Sequence, residues 1–514
     1  MTPRRFYRLH HLFIALMLIA RVASAQVTGS IAGTVRDSTS AVLPGATVTV
    51  RGPSLQRESV STTSGTDGSY RIPLLPPGTY EVTLELSGFA TQTRRGVDVA
   101  VNQQTTLDVS LAVAGVTEAV TVASAVPIVD VARSDVTQTV TQRTIDALPL
   151  NGRNFTDLVA LVPGAKPDPT LTSTTNVEIF GERASAVSYL IDGAENNDPV
   201  NGGALLRYTQ DSIKEFEVIT TGYDAQYGRA QGGVTNIVTR SGSNEFTASA
   251  FLFGRNDSLD ASNVPNQDPP KLERYQWGGT VGGPIVRDKA FFFGTFEKLD
   301  ETRGVNIDRS KIPSFVAEGL ATPGGVEDFS LAPTTDRLNG MVKFDFNLGA
   351  NQRLFVQANR SDQDVSGEIS SPVLGTLALP SAASAVERTA NAGIVRHTAL
   401  LNPSTFLESS VSLTKGRLGN NLDREGRFEP ILILLASGFQ QTAAPFNGKT
   451  DRTTKRWQLA QTLTWNKAGW GGDHEFKFGW DYNDIGVTGF NNVVNDVEYS
   501  MFDFSTDHTP DDRW

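Results

Sequence analysis

The stretch GYDAQYGRAQGGVTNIVTRSGSNEF, residues Gly222 to Phe246, gathers Gly222, Gly228, Gly232, Gly233 and Gly242 and then gives way to an aromatic-rich alternation. Glycine permits positive φ and close backbone approach. A segment that packs tightly inside a shell and then turns into the shell's first strand needs both. The alternative is that these are ordinary loop glycines.

Downstream of Asn244 the alternation has the period of a strand. In LNGMVKFDFNL, Leu338, Val342, Phe344, Phe346 and Leu348 share one face, and Asn339, Lys343, Asp345 and Asn347 share the other. EFKFGWDYN repeats the scheme, with Phe476, Phe478, Trp480 and Tyr482 against Lys477, Asp481 and Asn483. In WQLAQTLTW, Trp457, Leu459, Leu463 and Trp465 share a face on which Gln461 is the polar exception. At about 3.3 Å per residue and a tilt of about 40°, the two tryptophans lie roughly 20 Å apart along a membrane normal, matching the aromatic girdles of an apolar band about 25 Å tall. On the order of ten strands are expected, near residues 245, 275, 291, 340, 355, 393, 408, 460, 478 and 499. Asp300 to Thr335 and Gly416 to Thr454 are the long polar connections between them.

The start of the chain is consistent with export. Arg4, Arg5 and Arg8 precede the apolar run Leu12 to Ala20, and Ala23-Ser24-Ala25 precedes Gln26, the pattern of a signal peptide over residues 1–25. Nine apolar residues are too few to span a bilayer, and no longer run follows, so a membrane role has to use strands. With 514 residues several domains are expected. The absence of cysteine excludes disulfides and thiolate catalysis, and three histidines beyond residue 25 leave little for zinc. A net charge of −11 argues against nucleic acid. No nucleophile elbow, phosphate loop or cofactor motif stands out, so neither an enzyme nor a bound cofactor or metal is expected.

Residues 26–113 read as a β-sandwich of short alternating runs between glycine and proline turns. Tyr80, Val82, Leu84 and Leu86 face inward, opposite Glu81, Thr83 and Glu85. Asp67-Gly68 and Pro76-Pro77-Gly78 supply the flanking turns, and Asp67 reads as a turn residue rather than a calcium ligand. The stretch DGSYRIPLLPPGTYEV followed by SGF resembles the carboxypeptidase regulatory-like domain, which implies a transthyretin-like or carbohydrate-binding-like fold. Residues 114–125 form a linker, and 126–243 mix short elements with glycine-rich loops. Thr144 is placed to cap a turn over Ile145 to Leu148 and Asn154 a helix over Phe155 to Val162, with strands at Val187 to Ile191 and Glu215 to Ile219. Asp211 and Ser212 stand at an N-cap position before the last of these.

The runs ASAVPIVDVARSDVTQTVTQRTIDALPLNGRNFTDLVALVPG, YLIDGAENNDP and DSIKEFEVITTGYDAQYGRAQGGVTNIVTRSGSNEFTASAFLF, in that order, resemble the plug domain of TonB-dependent outer-membrane receptors of the Oar-like type. That resemblance implies a regulatory-like β-sandwich, an α+β plug and an antiparallel transmembrane barrel, over residues 26–113, 126–243 and 244–514. It implies a Gram-negative outer-membrane location with the N-terminal domain in the periplasm. The implied partners are a TonB-type energy-transducing protein, outer-membrane lipid, the barrel-assembly machinery and an extracellular solute, among which carbohydrate, siderophore, peptide and protein stay open. Glu118, Ala119, Val120, Thr121 and Val122 become the TonB-box candidate, with a plain linker as the alternative. Asp192, Glu195, Asn196, Asn197 and Asp198 are candidates for solute contact at a plug loop, or for turn caps. Gly222, Gly228, Gly232 and Gly233 are candidate plug-to-barrel packing positions. Family barrels close with about 22 strands, so this chain is expected to be part of a longer receptor. The other functional class is a surface binding protein without transport, whose N-terminal domain holds glycans.

Overall fold

The computed structural model describes residues 28–114, 120–122, 136–147, 152–154, 156–159, 161–167, 177–200, 202–228, 230–260, 271–304, 332–368, 377–378, 384–422, 431–435, 440–442, 450–467, 474–491 and 498–502. The signal-peptide reading lies outside them.

The N-terminal unit is two packed sheets. One pairs Gly29–Asp37 with Ser69–Leu75 and adds Gln104–Thr106 and Val109–Leu111 in parallel. The other runs Val60–Thr63, Thr47–Arg51, Gly78–Glu85, Gln92–Val99 and Val120–Val122. Tyr80, Val82 and Leu84 meet Ile31, Val48 and Ile72 in a shared core, so the two-residue period places the expected face inward. Asp67 Oδ1 accepts from Ser69 N at 3.0 Å and Ser69 Oγ at 2.7 Å, which makes it the turn residue.

The next unit is a five-stranded mixed sheet in the order Val136–Thr141, Ile213–Thr221, Val234–Thr239, Ser188–Ile191 and Ala194–Glu195. Phe216, Val218, Ile237, Tyr189 and Ile191 bury against two short helices. Two boundaries depart from the sequence reading. The first helix is Gln142–Ala147, so Thr144 lies inside it and does not cap it, and Thr141 precedes it. The second is confined to Thr156–Val159 among the described residues, and the Asn154 side chain donates to Thr156 Oγ1 at 2.7 Å. Asp211 and Ser212 belong to a 3₁₀ turn that leads into a strand, not to a cap.

Nine antiparallel neighbours then form one meandering sheet: Thr247–Asn256, Leu272–Val286, Ala290–Arg303, Thr334–Asn347, Gln352–Glu368, Ser384–Asn402, Thr405–Leu422, Thr450–Lys467 and His474–Asn491. We call these the first to ninth wall strands. Among the described residues no pairing joins the ninth to the first. The tenth expected strand, Glu498–Phe502, is not in this wall; it pairs with Ile431–Leu435 in a separate sheet of four short strands. Its short apolar run read as another wall strand because alternation says nothing of partners.

Burial in the wall is inside out. Leu338, Val342 and Phe344 are exposed, while Asn339, Lys343 and Asp345 are buried against the second unit. Trp457 and Tyr482 are also exposed. A water-facing sandwich would bury its apolar face, whereas a lipid-facing wall presents it outward. The exception, Gln461, donates to Ser409 Oγ at 2.8 Å on the strand beside it, so its amide is satisfied where lipid offers no partner. Connections alternate in length. Residues 287–289, 348–351 and 403–404 make short turns at one end, and 304–333, 369–383 and 423–449 make long ones at the other. The strands outrun the sequence reading, to Arg303 and Leu422, and the expected long loops shrink accordingly.

Candidate functional site

The second unit sits within the curve of the wall, and the joint between them is mostly polar. Four wall residues, Phe293, Met341, Ala390 and Ala392, extend its apolar core. The rest of the seat is built from charges and amides placed on the inward parity of the wall strands.

Asp192 is at its centre. Turning with φ 46°, it accepts from Thr239 N at 3.0 Å and from Thr239 Oγ1 at 2.6 Å. Lys343 on the fourth wall strand donates to Thr239 Oγ1 at 3.0 Å and stands 3.6 Å from Asp192. Gln357 Oε1 on the fifth lies 3.1 Å from the same hydroxyl. Both members of the ion pair are almost fully buried, so removing either strands the other charge. Of the two readings open for Asp192, solute contact or a bracing role in the turn, this placement favours the second.

The neighbouring candidates divide. Glu195 and Asp198 face the eighth wall strand: Arg456 lies 3.4 Å from Glu195 Oε1, Gln458 accepts from Glu195 N at 2.9 Å, and Arg452 lies 2.7 Å from Asp198. Asn196 and Asn197 brace the loop itself. Asn196 donates to Leu206 O at 3.0 Å and accepts from Leu206 N at 2.9 Å; Asn197 donates to Val187 O at 2.7 Å and accepts from Tyr189 N at 2.8 Å. Each of the five has protein partners at the loop or the joint.

Three further contacts escaped sequence reasoning. Arg153 pairs with Asp211 at 2.8 Å and with Glu297 of the third wall strand at 3.2 Å, and its guanidinium lies 4.2 Å over the Phe251 ring of the first. Lys477 of the ninth reaches Asp224 at 3.2 Å. Arg396 and Glu408 pair within the wall at 3.7 Å. The signal available beforehand was a charge at inward parity in a strand; its partner could not be inferred.

Of the glycines, Gly242 is the one that meets the wall. A Cβ there would lie 2.3 Å from Phe292 O and 2.9 Å from Gly283 O, as the chain passes between the second and third strands. Gly242→Val should therefore cost about 1–3 kcal/mol or more by overpacking; an unchanged urea midpoint for the folded protein in micelles would contradict this. Gly232 instead packs on Glu182, and Gly233, with φ 115°, on Ile219 O. Gly222 turns with φ 73° at the end of a strand. Gly228 has open space around it, so no close contact there requires a glycine.

The N-terminal unit docks at the short-turn end. Gln56 donates to Gly242 O at 3.2 Å and accepts from Asn347 at 2.5 Å, Arg57 donates to Gly349 O at 2.6 Å, and Arg353 donates to Leu74 O at 3.2 Å. Val101 N donates to Glu215 Oε1. Of the TonB-box candidate, Glu118 and Ala119 lie outside the described residues. Val120–Val122 forms a strand parallel to Gln92–Val99, with Val120 opposite Gln92 and Val122 opposite Arg94.

An inside-out wall around a polar-seated plug defines an outer-membrane β-barrel protein of the plugged class. The outer membrane beta barrel domain family matches residues 238–330 and 321–512, and the chain belongs to it. The TonB-dependent receptor plug domain matches residues 131–234 and the carboxypeptidase regulatory-like domain residues 30–112, so all three units are similar to those of TonB-dependent receptors, and the barrel family places the chain in the outer membrane. It is 32% identical over 315 residues to the TonB-dependent transporter Oar of Myxococcus xanthus, covering 57% of this chain and 29% of that protein. The outer membrane transporter YddB of Escherichia coli shares the fold at 12% identity with a TM-score of 0.52, over 72% of this chain and 50% of that one. The chain thus spans under a third of the curated relative and half of the solved one.

Proposed function

We propose that this protein takes up an extracellular solute: the solute binds on the long-loop side, and a periplasmic TonB-type protein, pulling on residues 118–122, rearranges the plug to admit it. The observation that carries this reading is the plug's seat. Asp192–Lys343, Glu195–Arg456, Asp198–Arg452 and Arg153–Glu297 are bonds that water entering the lumen can replace. A plug held mainly by an apolar core would expose that core on moving, at about 25 cal/mol per Å². On this reading the protein is a carrier with no chemistry of its own.

The gripping step is strand addition, in which main-chain hydrogen bonds supply the affinity. Val120–Val122 already has the backbone geometry of a strand, held at the edge beside Gln92–Val99, and a TonB strand would take over that edge. Short turns of membrane barrels lie on the periplasmic side, so the docked N-terminal unit and this segment both face TonB. Deletion of Thr117–Val122 is expected to abolish uptake while surface binding of the same solute by whole cells stays intact. Uptake at the parental rate would refute the proposal.

A further inference from the structure

We propose that the N-terminal unit is a lid over the periplasmic mouth of the lumen, and that a pull on Val120–Val122 lifts this lid before it moves the plug, a deepening that rests on the transport reading above. The unit lies across the opening rather than at one side of it. Gln56 and Arg57 bond Asn347, Gly349 and Ala350 where the fourth wall strand turns into the fifth, and Leu74 O accepts from Arg353 of the fifth. At the other end Arg71 stands 3.9 Å from Glu475 of the ninth. Three strands intervene, so at about 4.8 Å per spacing the two anchorages are about 19 Å apart along the wall. The same unit also meets the plug: Val101 N donates to Glu215 Oε1, and Asn102 donates to Tyr227 Oη at 3.4 Å. The plug's opposite side reaches Arg452, at the long-connection end of the eighth strand, through Asp198. The plug thus lies between the solute's side and the docked unit.

The chain sets the order of release. The sandwich is pinned as far as Ala114, whose N–H donates to Gly88 O at 2.9 Å, and Ala90 N donates to Ala112 O at 2.8 Å. The plug begins with Val136–Thr141, paired to Ile213–Thr221. Five residues separate Ala114 from Val120, and thirteen separate Val122 from Val136. Fully extended at about 3.6 Å per residue, the first link reaches about 20 Å and the second about 50 Å. Val120–Val122 is moreover an edge strand of the sandwich's own sheet, beside Gln92–Val99. Tension applied there enters the sandwich through its sheet and its short link, while the longer link leaves the plug slack.

The lid is also the weaker of the two attachments. Gly349 and Ala350 are exposed, so water replaces the bonds from Arg57 as they break. The plug's seat is deeper, with Phe293 and Met341 in its apolar core and the buried Asp192–Lys343 pair at its centre.

Single-molecule force spectroscopy tests this without TonB or solute. The full-length protein, in a supported bilayer of phosphatidylethanolamine and phosphatidylglycerol, is pulled from its periplasmic face through a maleimide tether on Thr121→Cys, the only thiol in a chain without cysteine. Two classes of event are expected. The first lengthens the tether by less than about 55 Å, the reach of the chain from residue 121 to Val136, and longer extensions from the plug follow. Adding Gln56→Ala and Arg57→Ala should at least halve the first rupture force and leave the later events unchanged. Arg57→Ala alone, at a half-buried loop residue, serves should the double variant fail to fold, with a smaller loss in the same direction. A first force that neither variant lowers, or a first lengthening beyond about 55 Å, overturns the lid. Ordered release together with uptake that survives deletion of residues 117–122 would remove the transport mechanism and leave the lid standing.

Discussion

Arg396→Met is expected to destabilise the folded protein by about 3–5 kcal/mol, and Arg396→Met combined with Glu408→Leu to recover most of that loss. The two residues lie on the sixth and seventh wall strands, where Arg396 is opposite Ser410 and Glu408 opposite Thr398. Their side chains are each 1% exposed and 3.7 Å apart. No described residue donates a hydrogen bond to either Glu408 oxygen, so the arginine is the main compensation for that buried charge. Removing it alone leaves a carboxylate desolvated and unpaired, whereas removing both leaves an apolar pair of similar volume. Urea titration in micelles, following the heat-modifiable gel mobility of the folded form, measures both variants. A double variant as unstable as the single one would show that Arg396 acts through other contacts.

What the sequence made legible was whatever has a short period. The alternation around Lys343 declares which residues face inward, because a strand reverses direction at every residue and lipid and lumen differ sharply in polarity. Tyr80, Val82 and Leu84 declare the sandwich core for the same reason. Partnership was not legible. Arg456 and Glu195 are 261 residues apart, and no local pattern links them. Asp192 read as a solute contact or a turn cap; that it turns inward onto Lys343 depends on a wall strand folding around it. The glycines show the same limit. Gly242 and Gly228 look alike in the chain, and only the passage of Phe292 O beside Gly242 separates a packing position from a loop residue. Glu498–Phe502 was misassigned because its period is that of a strand whichever sheet it joins.

Thermal stability should fall as pH rises from about 5 to 9, and Glu215→Gln should remove much of that slope. Glu215 is buried where the N-terminal unit meets the plug, and its pKa is pushed up from 4.5 to about 8. Burial is the largest cause; the Val101 N–H and Lys214 pull the value down, and Glu217 pushes it further up. A carboxyl group with a raised folded pKa reverses the usual acid-denaturation trend. Below about 4.5 it is protonated in both states and costs nothing. Between about 4.5 and 8 the folded state holds a proton that the unfolded chain has lost, so stability falls with pH, and above about 8 the loss is complete. At about 1.36 kcal/mol per unit, the full loss amounts to roughly 5 kcal/mol as an upper value. Glutamine keeps an oxygen that accepts from Val101 N but cannot ionise, so the contact survives and the titration does not. Melting followed by tryptophan fluorescence between pH 5 and 9 compares the two proteins. Parallel curves would mean that Glu215 is ionised in the folded state throughout, with a counter-charge at the joint holding it so.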